Sequence, residues 1–132
     1  MVNLPPQVLE LAKRPDSCKV LTTINEDGSP HSIVCGAFLI PDAHTIVVGQ
    51  TWMNITGANV ERDPRAEIVV WIGAAAYTIQ CRFVKRSEDE KYISCMNEKL
   101  ERMNLSVTSV WFFEVMSVRD EGLGPGVGQQ IA

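Results

Sequence analysis

Apolar positions recur along this chain of 132 residues in two rhythms, and the switches between them mark its elements. Pro5 or Pro6 opens a short helix with Val8, Leu9 and Ala12 on one face, and Pro15 stops it. Cys18 to Asn25, rich in Val, Leu, Ile and Thr, alternates as a strand does. Glu26-Asp27-Gly28-Ser29-Pro30 is a turn, in which Asp-Gly supplies the positive-φ residue of a tight hairpin. His31 to Ile40 reads as a second, longer strand whose middle, Val34-Cys35-Gly36-Ala37, is nearly all small. Pro41-Asp42-Ala43-His44 turns the chain into a third strand, Thr45 to Gln50.

The rhythm then changes. Ile55, Ala58 and Arg62 space a short helix from about Asn54 to Arg62, ended by Asp63-Pro64. Ala66 to Ile72 and Ala76 to Lys85 are strands around a Gly73-Ala74-Ala75 turn. Ser87 and Glu90 form a capping box ahead of a helix that aligns Tyr92, Met96, Leu100 and Met103. Val107 to Val118, with Trp111, Phe112 and Phe113, is the last strand. The order α-βββ-α-ββ-α-β predicts a mainly β fold with peripheral helices: six antiparallel strands closed into a barrel, because closure removes exposed edges. No βαβ crossover occurs, so a dinucleotide-binding sheet is excluded. The length suits one domain spanning residues 1–132, with a Gly-rich tail over 119–132 that is either mobile or laid over a partner surface.

Charge narrows the function. Twelve Lys and Arg against sixteen Asp and Glu give a net charge of −4, which excludes the basic footprint of a nucleic-acid binder. The longest run without a strongly polar residue, Ile68 to Tyr77, is about half a membrane span, so no membrane partner is expected. Cys18, Cys35, Cys81 and Cys95 show no short pairing; they read as buried, reduced thiols of a cytoplasmic protein, with no metal site. Both histidines, His31 and His44, fall near turns, and no activated nucleophile is evident. No residue is assigned a catalytic role.

The segment from Val47 to Pro64 is more informative. A strand ends at Gly49 and a helix begins near Asn54, so unpaired amides at that helix start, beside Asn54 and Thr56, form a natural anion site. Asn54 as a plain N-cap and Thr56 as an ordinary first-turn residue are the alternative, and caps are the commoner of the two.

The pattern from about Ser17 to Val118 resembles the FMN-binding split β-barrel of the pyridoxamine 5'-phosphate oxidase-like superfamily, and most of all its small FMN-binding and flavin-reductase-like members. The resemblance is carried by the hairpin Asn25-Glu26-Asp27-Gly28-Ser29-Pro30-His31 and by the helix from Thr56 to Asp63-Pro64, followed directly by the strand Arg65-Ala66-Glu67-Ile68-Val69-Val70. It implies a homodimer whose interface helps form an FMN pocket. The cofactor phosphate would lie at Asn54 and Thr56, with Arg62 a further candidate. The ring would rest on Val34, Cys35 and Gly36 and on Gly49-Gln50-Thr51, where small residues admit a flat ring. Trp52, in the loop before the helix, is placed to stack on it. Family members often carry Lys or Arg at this helix start, whereas Ile55 stands here between Asn54 and Thr56. That departure leaves room for a deazaflavin in place of FMN. The implied function is an FMN-binding oxidoreductase passing hydride or electrons between a reduced nicotinamide-type donor and a small acceptor. A non-enzymatic FMN carrier or electron-transfer protein, and a cofactor-less oligomeric binding barrel, stand as alternatives.

Overall fold

The structure, a computed structural model, describes all 132 residues. Along the chain run α1 (Pro6–Lys13), β1 (Cys18–Ile24), β2 (Pro30–Val34), β3 (Phe38–Asp42), β4 (Thr45–Gly49), α2 (Asn54–Arg62), β5 (Arg65–Ile72), β6 (Ala75–Ser87), α3 (Glu90–Leu100, continued by a 3₁₀ turn) and β7 (Val110–Asp120). The strands make one antiparallel sheet in the order β2-β1-β5-β6-β7-β4-β3. β2 and β3 therefore lie at opposite ends, yet only Cys35-Gly36-Ala37 separates them in sequence. The steps from Val34 to Phe38 reach at most about 14 Å, whereas the outer strands of a flat seven-stranded sheet stand about 29 Å apart. The sheet must curl. The short link across the split is held at both ends: the Cys35 amide donates to the Lys19 carbonyl of β1 at 3.1 Å, and the Gly49 amide of β4 donates to the Ala37 carbonyl at 3.0 Å.

This is the mainly β split barrel read from the sequence, with seven strands in place of six. The expected strand from His31 to Ile40 is two strands. Its first half pairs with β1 and its second with β4, on opposite sides of the split, and one continuous strand cannot do both.

Side-chain alternation sorts the core into two layers. Leu21, Ile46, Val48, Ile68, Val70, Ile79, Trp111, Phe113 and Val115 fill the barrel, and α1 closes it with Val8 and Ala12. Val47, between Ile46 and Val48, points the opposite way and packs under α3 against Ile93, Met96, Leu100, Val107 and Val110. β4 is thus buried on both faces.

Gly49, at the end of β4, has no room for a side chain. A Cβ there would lie 2.7 Å from Met96 Sδ, 2.8 Å from a Val107 methyl and 2.9 Å from Ala37 Cβ. The methionine end can swing away, but the other two atoms sit on stiff or short side chains. Gly49→Ala is expected to cost about 1–3 kcal/mol through overpacking, read as a lower urea midpoint with an unchanged slope.

The last strand runs from Val110 to Asp120 and not from Val107 to Val118, and other features also depart from the sequence reading. The α3 cap is Asp89, whose carboxylate accepts from the Lys91 amide at 3.0 Å, because β6 runs on through Ser87 in register with Val110. Met103 is exposed and off the α3 stripe. The Gly-rich tail folds back along its own β7: the Asp120 amide donates to Gln129 at 2.9 Å and the Ile131 amide to Val118 at 2.8 Å. Ile131 and Ala132 pack against the barrel core. No helix is long and apolar enough to cross a membrane.

Candidate functional site

The loop between β4 and α2 carries two consecutive non-glycine residues in the left-handed region, Trp52 at φ +62° and Met53 at φ +37°. Such backbone costs on the order of 1–3 kcal/mol per residue and persists only where neighbours over-determine it. Gln50 supplies that restraint. Its amide donates to the Ser109 carbonyl at 3.0 Å, its Oε1 accepts from Ser109 Oγ at 2.8 Å, and its Nε2 donates to the Trp52 carbonyl at 3.4 Å. Ser109 is fully buried at the entrance to β7. Sequence reading overlooked it; the available signal was a hydroxyl set directly before Val110 and Trp111, the start of the most aromatic strand.

The turn delivers α2 with no side-chain cap on its first residues. Its opening amides have no acceptor within the helix. Within this first turn, Thr56 is 1% exposed, and its Oγ1 is a buried side-chain polar atom without a hydrogen-bond partner. An orphaned buried hydroxyl costs about 1–3 kcal/mol unless something occupies it. Asn54 is exposed, and Ile55 exposes 57% of its surface.

The guanidinium groups near this helix face elsewhere. Arg62 lies at the far end of α2, about 12 Å along the axis from Asn54. Its Nη2 donates to the Ile24 carbonyl at 2.5 Å and to Asn59 Oδ1 at 2.9 Å. Arg65 is engaged by Asp63, and that pairing holds the Asp63 carboxyl down at about 2. Asn59, which the sequence reading did not single out, donates to Thr23 Oγ1 and Asn25 Oδ1, both at 3.0 Å, and so ties α2 to the β1–β2 hairpin. The donors at the first turn suit an anion; no cation completes it.

The remaining candidates meet at the split. The bond from the Gly49 amide to Ala37 sets Val34-Cys35-Gly36 beside the end of β4. Val34 is 77% and Trp52 78% exposed, while Cys35 is buried and burial pushes its thiol up to about 12. Cys35 and Gly36 also line a cavity of about 760 Å³ between the end of α1, β3 and α3; Gly49, Gln50, Thr51, Trp52, Asn54, Thr56 and Arg62 do not. The sequence-derived set therefore falls into two groups, one at the α2 entrance and one at the split.

Residues 4–119 match the family described as pyridoxamine 5'-phosphate oxidase. No curated protein matches the sequence. Among solved structures, Group A Streptococcus HupZ is similar with a TM-score of 0.75 at 14% identity, over 97% of this chain and 100% of that one. An FMN-binding protein from Syntrophomonas wolfei subsp. wolfei aligns at 0.74 and 13% identity, over 89% and 88% of the two chains. A protein described as an F420 reductase aligns at 0.71 and 14% identity, over 87% and 98%. At such identities the likeness is one of fold.

Proposed function

This chain belongs to the pyridoxamine 5'-phosphate oxidase family, and from that premise we propose that it binds FMN and acts as an oxidoreductase between a reduced nicotinamide-type donor and a small acceptor. The observation that carries the reading is the Thr56 hydroxyl, buried and unpartnered in the first turn of an uncapped helix. A phosphate oxygen there would accept from Thr56 Oγ1 and from the free amides, and it would gain from the positive end of the helix dipole. Asn54 flanks the same turn. Val34, Cys35 and Gly36 on one side and Gly49, Gln50 and Thr51 on the other would floor the ring, with Trp52 against its edge or face.

When bound, the flavin supplies hydride or electron transfer; the protein's part is to hold and orient it and to exclude competing reactions. The Ser109–Gln50 bonds fix the loop that would carry Trp52, so the ring contact would be pre-set and not formed on binding. That an FMN-binding protein and an F420 reductase share the fold supports a flavin-type ligand, deazaflavin included. Three large apolar side chains in these segments, Val34, Trp52 and Ile55, stand exposed, which supports a homodimer that covers them. Four free thiols are in keeping with a cytoplasmic setting, although only Cys35 and Cys81 are buried and Cys18 and Cys95, expected to be buried, are exposed.

The test is an absorbance spectrum of the purified protein after FMN is added and the excess removed, with a deazaflavin run in parallel. Retained flavin absorbance is expected. Thr56→Val, nearly isosteric, is expected to weaken binding about tenfold, close to one charge-assisted hydrogen bond. A protein that takes up neither cofactor is a cofactor-less barrel, and the proposal fails. Flavin uptake without turnover of reduced nicotinamide and an electron acceptor would instead leave a carrier.

A further inference from the structure

The cavity between α1, β3 and α3 is basic in an acidic protein. Five of the chain's twelve Lys and Arg line it, namely Lys13, Arg14, Lys19, Lys99 and Arg102, and no Asp or Glu does. Arg14 is neutralised by Asp16, through two hydrogen bonds of 3.0 and 2.9 Å. Lys13, Lys19, Lys99 and Arg102 have no ion-pair partner anywhere in the structure. Four cations without an ion-pair partner thus line one concavity of a chain whose net charge is −4.

Lys19 shows the strain of that arrangement. It reaches from β1 into the cavity, half-buried, with Nζ donating to Ser17 Oγ at 2.7 Å and lying 5.4 Å from the centre of the Phe38 ring. Burial is the main cause that lowers its affinity for the proton; Lys99 adds to that, while Cys35, Cys18 and the Asp16 carboxylate act against it. A bound anion would offset that cost by its opposite charge. The floor is apolar, formed by Phe38, Leu39 and Ile40, and Met103 stands exposed at its edge. A volume of about 760 Å³ is that of a small-molecule site.

We propose that this cavity binds a small, multiply charged anion, a phosphate ester or a polycarboxylate, with its charged groups on Lys13, Lys19, Lys99 and Arg102 and its apolar part on Phe38 and Leu39. A polymeric nucleic acid does not fit, since four cations gathered in one concavity offer no track for a backbone and the net charge repels it. The cavity shares Cys35 and Gly36 with the floor proposed for the flavin ring but none of its cations with the first turn of α2, so its anion binding is tested on flavin-free protein.

Calorimetric titration of the full-length protein, without flavin and at low salt, tests it. The probes are tripolyphosphate and citrate. Saturable binding of at least one is expected, with affinity falling as salt is raised. Tighter binding of tripolyphosphate points to a phosphate ester, and tighter binding of citrate to a polycarboxylate. The double variant K99Q/R102Q, at two exposed positions, is expected to lose at least about tenfold in affinity. A control of equal charge, R82Q/K91Q, removes two cations outside the cavity and is expected to keep the wild-type affinity. No saturable binding of either probe overturns the proposal. So does an equal loss in both double variants, which would mean attraction to overall charge and not to a site.

Discussion

Trp111→Ala is expected to remove about 3–5 kcal/mol of stability, a large part of what a domain of this size possesses. The side chain is 1% exposed and sits at the centre of the barrel core. Its strand is the hinge of the closed sheet, because β7 pairs with β4 through Val48 and with β6 through Arg86 at this residue. Truncation would leave a cavity that two hydrogen-bonded neighbours on either side cannot collapse to fill. The indole has a second duty, since one of its ring carbons lies 3.5 Å from where a Gly57 Cβ would be, directly beneath α2. Thermal unfolding should show a midpoint lower by about 10–20 °C. Trp111→Phe, which keeps an aromatic ring, should recover more than half of the loss. If the alanine variant unfolds within about 1 kcal/mol of wild type, the barrel is not centred on this residue and the packing described above is wrong.

Much of this architecture is legible in the sequence, and what is not has a common cause. Periodicity and turn chemistry are local, so α2 is found at its true bounds and the Gly28 turn, at φ +87°, is found at the right place. Pairing partners are not local. The alternation from His31 to Ile40 is real on both sides of Gly36, but nothing in it records that the chain leaves one sheet edge and joins the other. The tail misleads for a related reason. Four glycines and a proline look like slack chain, yet main-chain hydrogen bonds to β7 hold the tail and two of the glycines are required by its path: Gly122 lies against the Ala74 carbonyl and Gly128 has φ +85°. At the candidate site, the sequence points to the α2 entrance because an anion-binding helix start has a local signature. It is silent on Ser109 and on its bond to Gln50 across 59 residues, and it cannot say which way Arg62 faces.

Asn59→Ala is expected to cost about 2–4 kcal/mol, a large effect for a residue outside the apolar core. The side chain is 3% exposed and uses both ends of its amide: Nδ2 donates to Thr23 and Asn25, and Oδ1 accepts from Arg62. Asn25 in turn anchors the hairpin turn, accepting from the Gly28 amide and donating to the Ser29 carbonyl. One buried amide therefore holds α2, the end of β1 and the turn in a fixed relation, and that relation sets where the helix starts. The largest single penalty falls on Thr23, whose hydroxyl is 1% exposed and loses its Asn59 partner. This makes the origin of the cost testable by a double-mutant cycle. Adding Thr23→Val to the Asn59→Ala background removes the stranded hydroxyl and should return about 1–2 kcal/mol, whereas Thr23→Val alone should destabilise, because it strands the amide instead. Strict additivity of the two changes would mean that the hydrogen bond contributes nothing beyond its parts, and that α2 is positioned by Val60 and the barrel core rather than by this polar clamp. Opposite signs in the two backgrounds would place the clamp where the geometry does, between the hairpin that carries the family resemblance and the helix whose first turn is left open for an anion.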